Sequence, residues 1–177
     1  MRRKDREVKD PADIFDILNR CDTIRIAMQG ETCPYAVPVS FGAEVNDGKT
    51  VIYFHCAREG MKTVLLKANP HVCAEGDIFL GTELTDRGIT ARYESVIGFG
   101  ECRFVEDPDE ILHGLKHLTA HYGYEDYDVA HCGALQRLCV GKIVLNQITG
   151  KRNLAPRADG IAAGRNPDAS AEPESDQ

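Results

Sequence analysis

The most suggestive chemistry in the sequence lies where a predicted strand passes into a short helix. The run Thr50–Cys56 is β-branched and aromatic, which predicts a strand, and a helix is expected from about Gly60 to Ala68. The first turn of a helix leaves backbone N–H groups unpaired at the positive end of its dipole, and Lys62 and Thr63 would add an ammonium and a hydroxyl there. This combination is compatible with a bound anion. The same spacing also fits a solvated lysine on a surface helix.

Two side chains at the end of the same predicted strand could also do chemistry. The thiol of Cys56 would lie close to the helix, whose dipole lowers the pKa of a nearby cysteine, so a nucleophilic role is one hypothesis, although no base can be identified. His55 is either a polar residue that faces a ligand or a histidine at the edge of the core. Because consecutive strand residues point to opposite faces, His55 and Cys56 are not expected to share a metal ion.

Three histidines recur at helical spacing in another predicted helix, which begins at Asp107. His117 and His121 are four residues apart, and His113 extends the row. At about 100° per residue the histidines are expected opposite the apolar arc that includes Leu115. The sequence therefore predicts a solvated histidine face and no metal site.

The rest of the sequence must form the elements that position these residues, and most of these elements are predicted strands. Strands are predicted at 24–28, 34–45, 50–56, 71–75, 78–80, 91–106 and 138–148, with a loop at 82–88 and a hairpin turn at 46–48. A first helix should begin at Asp10-Pro11 and a later one at Asp107-Pro108. Hairpin order with glycine kinks favours a small β-barrel with flanking helices, although the pattern alone does not separate a barrel from an open sheet.

Charge and composition exclude several classes of protein. The net charge of −7 argues against a nucleic-acid binder or a binder of anionic membranes. The longest run without a charged residue, 32–43, contains two prolines and is too short to cross a bilayer. No apolar stretch follows the basic start, and the seven cysteines form no C-x-x-C pair, so we expect a cytoplasmic protein with free thiols. The polar, acidic segment from Pro156 onward predicts a disordered tail.

Several short segments follow one another in a recognisable order. They are MRRKDRE at 1–7, PYAVPVSF at 34–41, YFHCAREGMK at 53–62, NPHVC at 69–73 and YESVIGFG at 93–100. Together they resemble the pyridoxamine 5′-phosphate oxidase-related family, and within it the Nim-type proteins of nitroimidazole resistance. The resemblance runs from Met1 to about Asn153. It divides the chain into a domain at 1–153 and an acidic tail at 154–177.

The resemblance implies a mainly β fold with flanking helices, a split β-barrel, that binds FMN at the interface of a homodimer. Lys62 is expected to hold the phosphate, and His55 matches a histidine associated with the active site in the Nim-type branch, which makes it the candidate catalytic residue. The cofactor contacts that the resemblance implies are Pro38, Val39, Ser40, His55, Cys56, Ala57, Lys62, Tyr93, Ser95 and Val96.

Two departures from the family pattern bear on the reaction. Met61 stands where the vitamin oxidase has an arginine beside its phosphate-binding lysine, and that enzyme's C-terminal arginine motif has no clear counterpart here. Vitamin oxidation is therefore not the expected reaction. The expected function is that of an FMN-dependent oxidoreductase acting on a small molecule such as a nitroaromatic. The alternatives are a flavin- or haem-binding protein for storage or sensing, and a cofactor-free barrel that acts through its dimer surface.

Overall fold

The computed structural model describes residues 2–156, so most of the predicted acidic tail lies outside the described residues. Three short 3₁₀ turns, Lys4–Arg6, Val129–His131 and Leu135–Arg137, accompany the regular elements. In chain order these are β1 (Glu7–Val8), α1 (Pro11–Arg20), β2 (Ile24–Met28), β3 (Tyr35–Val39), β4 (Phe41–Asn46), β5 (Lys49–Ala57), α2 (Met61–Ala68), β6 (His71–Thr85), β7 (Gly88–Phe104), α3 (Pro108–His121) and β8 (Leu138–Asn153). Within 2–156, each helix is too short or too polar to span a bilayer.

Side-chain caps begin α1 and α3 where the sequence predicts them. The Asp10 carboxylate accepts a hydrogen bond from the Ala12 N–H at 2.9 Å, and the Asp107 carboxylate accepts one from the Glu110 N–H at 2.9 Å. Each cap is followed by a proline at the first helical position, where a missing N–H costs nothing. Both predicted helix starts are confirmed.

The strands form one antiparallel sheet that curls on itself. Its order is β3-β2-β6-β7-β8-β5-β4, and β1 pairs with the far part of β8. Strands β3 and β4 lie at opposite ends of this order, although only Ser40 separates them in the chain. The chain therefore passes from one edge of the sheet to the other without hydrogen bonds closing the gap, which confirms the predicted split β-barrel.

The inner face of the sheet and the helices α1 and α2 enclose the main core. Its most deeply buried members are Ile17, Leu18, Ile24, Ile26, Phe41, Ile52, Phe54 and Ile143. A second, smaller cluster lies between the outer face of the sheet and α3, around Tyr53, Leu115 and Val140. Burial of a large apolar side chain contributes about 1.5–3 kcal/mol, so these two clusters fix the barrel and hold α3 against it.

The hairpin between β4 and β5 also follows its sequence signal. Asp47 and Gly48 have φ angles of 49° and 73°, the left-handed pair that a two-residue turn of type I′ requires. The predicted strand at 34–45 is divided at Ser40, where the chain changes from one edge of the sheet to the other.

The predicted loop at 82–88 is wrong. Strand β6 runs without interruption to Thr85, past a bulge at Gly81, and the turn is confined to Asp86 and Arg87. Leu84 pairs with Ile89 across this hairpin, and both side chains are exposed. A two-stranded ribbon that projects from the barrel has no buried face, so its sequence lacks the apolar alternation by which strands are recognised.

The prediction of a solvated histidine face on α3 is wrong for His117 and His121, which are half-buried, although His113 is exposed. The His121 Nε2 atom lies 2.9 Å from the Cys21 carbonyl oxygen, and the His121 ring packs 4.3 Å from the Phe41 ring, centroid to centroid. His117, one helical turn earlier, lies on a stretch of α3 so close to β4 that a Cβ atom at Gly42 would touch its backbone. The histidine row therefore adjoins the apolar arc and faces the sheet.

Candidate cofactor-binding site

The junction between β5 and α2 is open and carries unpaired N–H groups. Gly60 precedes the helix with φ at 134°, a value that favours glycine, and no side chain caps the first turn. A Cβ atom at Gly60 would meet nothing within 4 Å. The backbone donors at the start of α2 are thus accessible, which is the condition for binding an anion there.

The hydroxyl of Thr63 does not join this group of donors as the sequence analysis expects. It donates a hydrogen bond to the Gly60 carbonyl oxygen at 2.7 Å, and its side chain is buried. Thr63 therefore fixes the turn from inside. The side chain that remains to face an anion is that of Lys62.

The Lys62 side chain folds back over the end of the barrel. Its Nζ atom lies 5.4 Å from the centroid of the Phe54 ring, which is completely buried. The ammonium also lowers the pKa of the Cys56 thiol, although other contributions outweigh this effect. A cation held at this position faces the barrel end and compensates a negative charge there better than a fully solvated lysine could.

Strand register brings Ser40 and His55 to the same end of the barrel. Phe41 pairs directly with Phe54, so Ser40, just before Phe41, and His55, just after Phe54, lie at neighbouring positions. Both side chains are exposed. The structure thus places Ser40 beside His55, and the Lys62 ammonium lies near Phe54, the residue before His55.

Pro38 and Val39, which precede Ser40, could contact a cofactor mainly through their backbones. Pro38 is exposed at the edge strand β3, whereas the Val39 side chain belongs to the main core. Strand β3 pairs with β2 only, so within residues 2–156 its other edge keeps its backbone hydrogen-bonding groups available.

Cys56 lies on the inner face of the sheet, with Ala57 at the exposed end of the strand. The Cys56 Sγ atom is 3.4 Å from the Sγ atom of Cys139, the residue of β8 that pairs with Cys56. Burial, followed by the contact with Cys139, raises the pKa of the Cys56 thiol to about 12. The hypothesis of a cysteine activated by the helix dipole is therefore wrong, because a nucleophilic cysteine needs a lowered pKa.

Tyr93, Ser95 and Val96 lie elsewhere on the barrel. Lys62 lies near Cys102 of β7, because its ammonium lowers the pKa of that thiol, although burial raises the pKa overall. Tyr93, Ser95 and Val96 precede Cys102 on the same strand by six to nine positions. Extended strand rises about 3.3 Å per residue, so they lie about 20–30 Å further along the strand. The Val96 side chain is only 2% exposed and belongs to the main core. One chain alone does not bring these residues to Lys62.

Tyr93 has cationic neighbours of its own. Arg6 Nη1 donates to the phenolic oxygen at 3.5 Å, and Lys151 Nζ lies 5.5 Å from the ring centroid. Burial opposes ionisation, but the hydrogen bonds from Lys151 and Arg6 outweigh it and lower the pKa of Tyr93. Tyr93 is thus placed in a positive environment on the outer face of the barrel.

Two shallow clefts open away from the β5–α2 junction. One, of about 330 Å³, is lined by residues from Ala27 to Pro34, and the other, of about 340 Å³, lies beside His71, Phe99 and Gln147. Neither cleft contains one of the expected cofactor contacts.

A further polar group was missed by the sequence analysis. Glu44 of β4 meets His113 and His117 of α3 on the outer face of the sheet. The His-x-x-x-His spacing was the signal for two of these residues. Glu44 carries no comparable signal, because only the packing of α3 on β4 brings it to the histidines.

Comparisons with known proteins agree with this fold. The model of the family described as pyridoxamine 5′-phosphate oxidase matches residues 10–152. A crystal structure of a candidate 5-nitroimidazole antibiotic resistance protein from Bacteroides thetaiotaomicron is 30% identical, with a TM-score of 0.70 over 82% of this chain and 85% of that chain. No curated protein is significantly similar to the chain.

More distant solved structures share the fold alone. A flavocytochrome from Azotobacter vinelandii is 14% identical, with a TM-score of 0.71 over 98% of this chain and 92% of that one. A FAD and heme binding protein from Mycobacterium smegmatis is 15% identical, with a TM-score of 0.70 over 94% of this chain and 91% of that one. The barrel topology, the family match and the 30% identical relative lead to one conclusion: this chain belongs to the pyridoxamine 5′-phosphate oxidase family.

Proposed function

We propose that the chain is an FMN-dependent oxidoreductase that reduces a small molecule such as a nitroaromatic. The observation that carries this proposal is the open junction between β5 and α2. Unpaired N–H groups, an unobstructed Gly60 and the Lys62 ammonium meet there. FMN ends in a phosphate monoester, and such a group fits these donors and this charge.

The phosphate site has fewer donors than that of the vitamin oxidase. Met61 occupies the position of that enzyme's arginine, and its apolar side chain is exposed at the start of α2. An arginine binds phosphate with two parallel hydrogen bonds, which methionine cannot replace. Lys62 is therefore expected to carry most of the electrostatic contribution to binding, and its loss should weaken FMN binding strongly.

The proposed site is completed by a second copy of the chain. Tyr93 and Ser95 lie too far along β7 to reach Lys62 of their own subunit. On the same outer face of the sheet, Phe79, Ile97 and Phe99 expose large apolar side chains. An exposed apolar patch of this kind is typical of an interface. A homodimer formed through this face would cover the patch and bring Tyr93 of one copy towards the junction of the other.

The residues at the barrel end would divide the work of the reaction. A bound flavin, once reduced by a pyridine nucleotide, would supply the electrons to the substrate. Lys62 and the α2 backbone would hold the phosphate, and Ser40 would hydrogen-bond to a polar edge of the cofactor. His55 is exposed at the same end and can donate a proton or orient the substrate. All seven cysteines are free thiols, which fits action in the reducing cytoplasm.

The absorbance spectrum of protein purified without added cofactor tests this proposal, together with the variant Lys62→Ala. Lys67→Ala is the matched control, because Lys67 is an exposed lysine in the last turn of the same helix. We expect a flavin spectrum, at least tenfold weaker FMN binding in Lys62→Ala, and unchanged binding in Lys67→Ala. A chain that ignores added FMN, or equal affinities in the two variants, would contradict the phosphate site.

A second candidate function is binding of flavin or haem without turnover. It is favoured by the fold shared with the flavocytochrome and the FAD and heme binding protein. Reduced pyridine nucleotide and a nitro compound separate the two functions. Consumption of both by the flavin-loaded protein supports the oxidoreductase. A Soret band in the purified protein, with no consumption of either reactant, supports the binding protein.

A further inference from the structure

Three side chains with metal-binding atoms converge on the outer face of the barrel, away from the proposed flavin site. His113 Nε2 lies 3.1 Å from Oε1 of Glu44, and His117 Nε2 lies 3.3 Å from Oε2 of the same carboxylate. All three ligand atoms fall within 4.8 Å of one another. The group therefore presents two imidazole nitrogens and a carboxylate to one small volume.

The fold places these residues through a close contact between α3 and β4. A Cβ atom at Gly42 would lie 2.3 Å from the backbone carbon of His117, so only glycine lets the helix come this near. Glu44 follows Gly42 by two positions and therefore projects from the same face of the strand. His113 and His117 are one helical turn apart and point to the same side. The convergence is thus built into the packing of the two elements.

Glu44 is held more firmly than an ordinary surface carboxylate. Its side chain is 16% exposed, and the Tyr53 hydroxyl donates a hydrogen bond to Oε1 at 3.0 Å. The Tyr53 ring also packs against both histidines, with centroids 5.6 Å from His113 and 6.0 Å from His117. Ligands of protein-bound metals are oriented by such outer contacts, which fix the ring and the carboxylate in place.

The two histidine rings also lie against each other on α3. Their ring centroids are 4.6 Å apart, so two protonated rings would repel each other. A metal ion binds neutral imidazole and displaces a proton from the charged form.

We propose that Glu44, His113 and His117 bind a zinc ion. Two histidines and one glutamate form a known zinc donor set, and its ligands lie about 2.0–2.2 Å from the ion. Ligand atoms of a tetrahedral site are therefore roughly 3.3–3.6 Å apart, so only small side-chain movements are needed from the present arrangement, in which the three ligand atoms lie within 4.8 Å of one another. His113 is 48% exposed, so the fourth position faces solvent and would hold water. Zinc at this site would cross-link α3 to β4.

A cobalt titration of the full chain, as purified, tests this proposal. Co²⁺ occupies zinc sites and gives visible absorption bands in four-coordinate geometry, and Zn²⁺ should displace it. The inner-face thiols, among them Cys56 and Cys139, are the competing metal ligands. Thiolate ligation would add intense near-ultraviolet charge-transfer bands. We expect the visible bands without those charge-transfer bands, at one ion per chain.

Variants assign the bands to residues. Glu44→Gln and His117→Gln should each weaken Co²⁺ binding at least tenfold. His131→Gln is the matched control, because the exposed His131 also pairs with a carboxylate, that of Asp128 at 2.6 Å, but lies outside the cluster. It should bind Co²⁺ as the original chain does. Absence of visible bands, bands of thiolate type alone, or equal binding by Glu44→Gln and His131→Gln would overturn the proposal.

Thermal unfolding provides a second measurement that does not depend on flavin. Zinc that binds only the folded chain must raise the melting temperature by mass action. We expect this rise in the original chain and in His131→Gln, and no rise in His113→Gln. His113 is 48% exposed, so its substitution should disturb folding less than that of a buried ligand. A rise of the same size in His113→Gln would also contradict the site.

Discussion

Gly114 lies so close to Tyr53 that a Cβ atom there would stand 2.7 Å from Cδ1 of the tyrosine ring. Tyr53 is buried beneath α3, and Val140 packs against the same spot. An added methyl group must therefore displace a ring or move the helix, and overpacking of this kind costs about 1–3 kcal/mol. We expect Gly114→Ala to lower the free energy of unfolding by that amount, measured by urea denaturation.

Gly133→Ala provides the control for this substitution. Gly133 is exposed, lies outside the left-handed region, and a Cβ atom there would meet nothing within 4 Å. Its free energy of unfolding should change by less than about 0.5 kcal/mol. If the two variants were equally stable, the close contact between α3 and Tyr53 would not hold in solution.

His55 is expected to matter for turnover and not for cofactor binding. Its side chain is exposed at the barrel end, whereas the phosphate is assigned to Lys62 and the α2 backbone. General acid–base groups contribute about 10²–10⁴-fold to rate. We therefore expect His55→Ala to keep its flavin absorbance and to reduce a nitro compound at least tenfold more slowly, with His71→Ala as a surface control. Unchanged kcat in His55→Ala would remove this residue from the mechanism.

Local signals in the sequence predicted many of the elements correctly. The caps at Asp10 and Asp107 and the Asp47-Gly48 turn each depend on residues close together in the chain. Such signals do not depend on how the segment packs against the rest of the protein, so they predict the local structure correctly. The strand-to-helix junction at Lys62 belongs to the same class, because its unpaired N–H groups follow from the helix start alone.

The predictions that were wrong or incomplete concern features that depend on tertiary packing. The side of α3 that meets the sheet is set by Gly42 and Gly114, which allow close approach, and not by the apolar arc alone. Glu44 reaches the histidines only through that approach. The position of Tyr93, far along β7 from Lys62, likewise follows from strand register, which periodicity does not reveal.

The reactivity of Cys56 provides a test of its environment. Burial and the contact with Cys139 raise the pKa of Cys56 to about 12, and the thiolate is the reactive form. Cys33 is exposed on the loop before β3. We expect iodoacetamide to alkylate Cys33 at least a hundredfold faster than Cys56 in the folded chain, measured by peptide mass spectrometry. Urea should abolish the difference. Equally fast labelling in the folded chain would show that Cys56 is activated after all.

Glu110 should make the stability of the chain depend on pH. Lys142 Nζ lies 2.6 Å from its Oε1 atom and Arg103 Nη2 lies 2.8 Å from the same atom. The hydrogen bond from Lys142 and then that from Arg103 lower the pKa of this carboxyl group. Because the folded-state pKa lies below that of the unfolded chain, this stabilisation is present above about pH 4.5 and is lost as the pH falls through the folded-state value.

Lys142→Gln separates this contribution from other effects of acid. At about pH 7 the variant should unfold with a free energy about 1 kcal/mol lower than that of the original chain, the usual size of a charged hydrogen bond with its partner retained. The difference should shrink as the pH is lowered from about 7 through the lowered folded-state pKa of Glu110, because the protonated carboxyl group no longer attracts Lys142. Arg152→Gln removes an exposed pair with Asp13 and should show little difference at either pH. A Lys142→Gln deficit that stays constant across this range would mean that lost packing, and not the ion pair with Glu110, accounts for the effect.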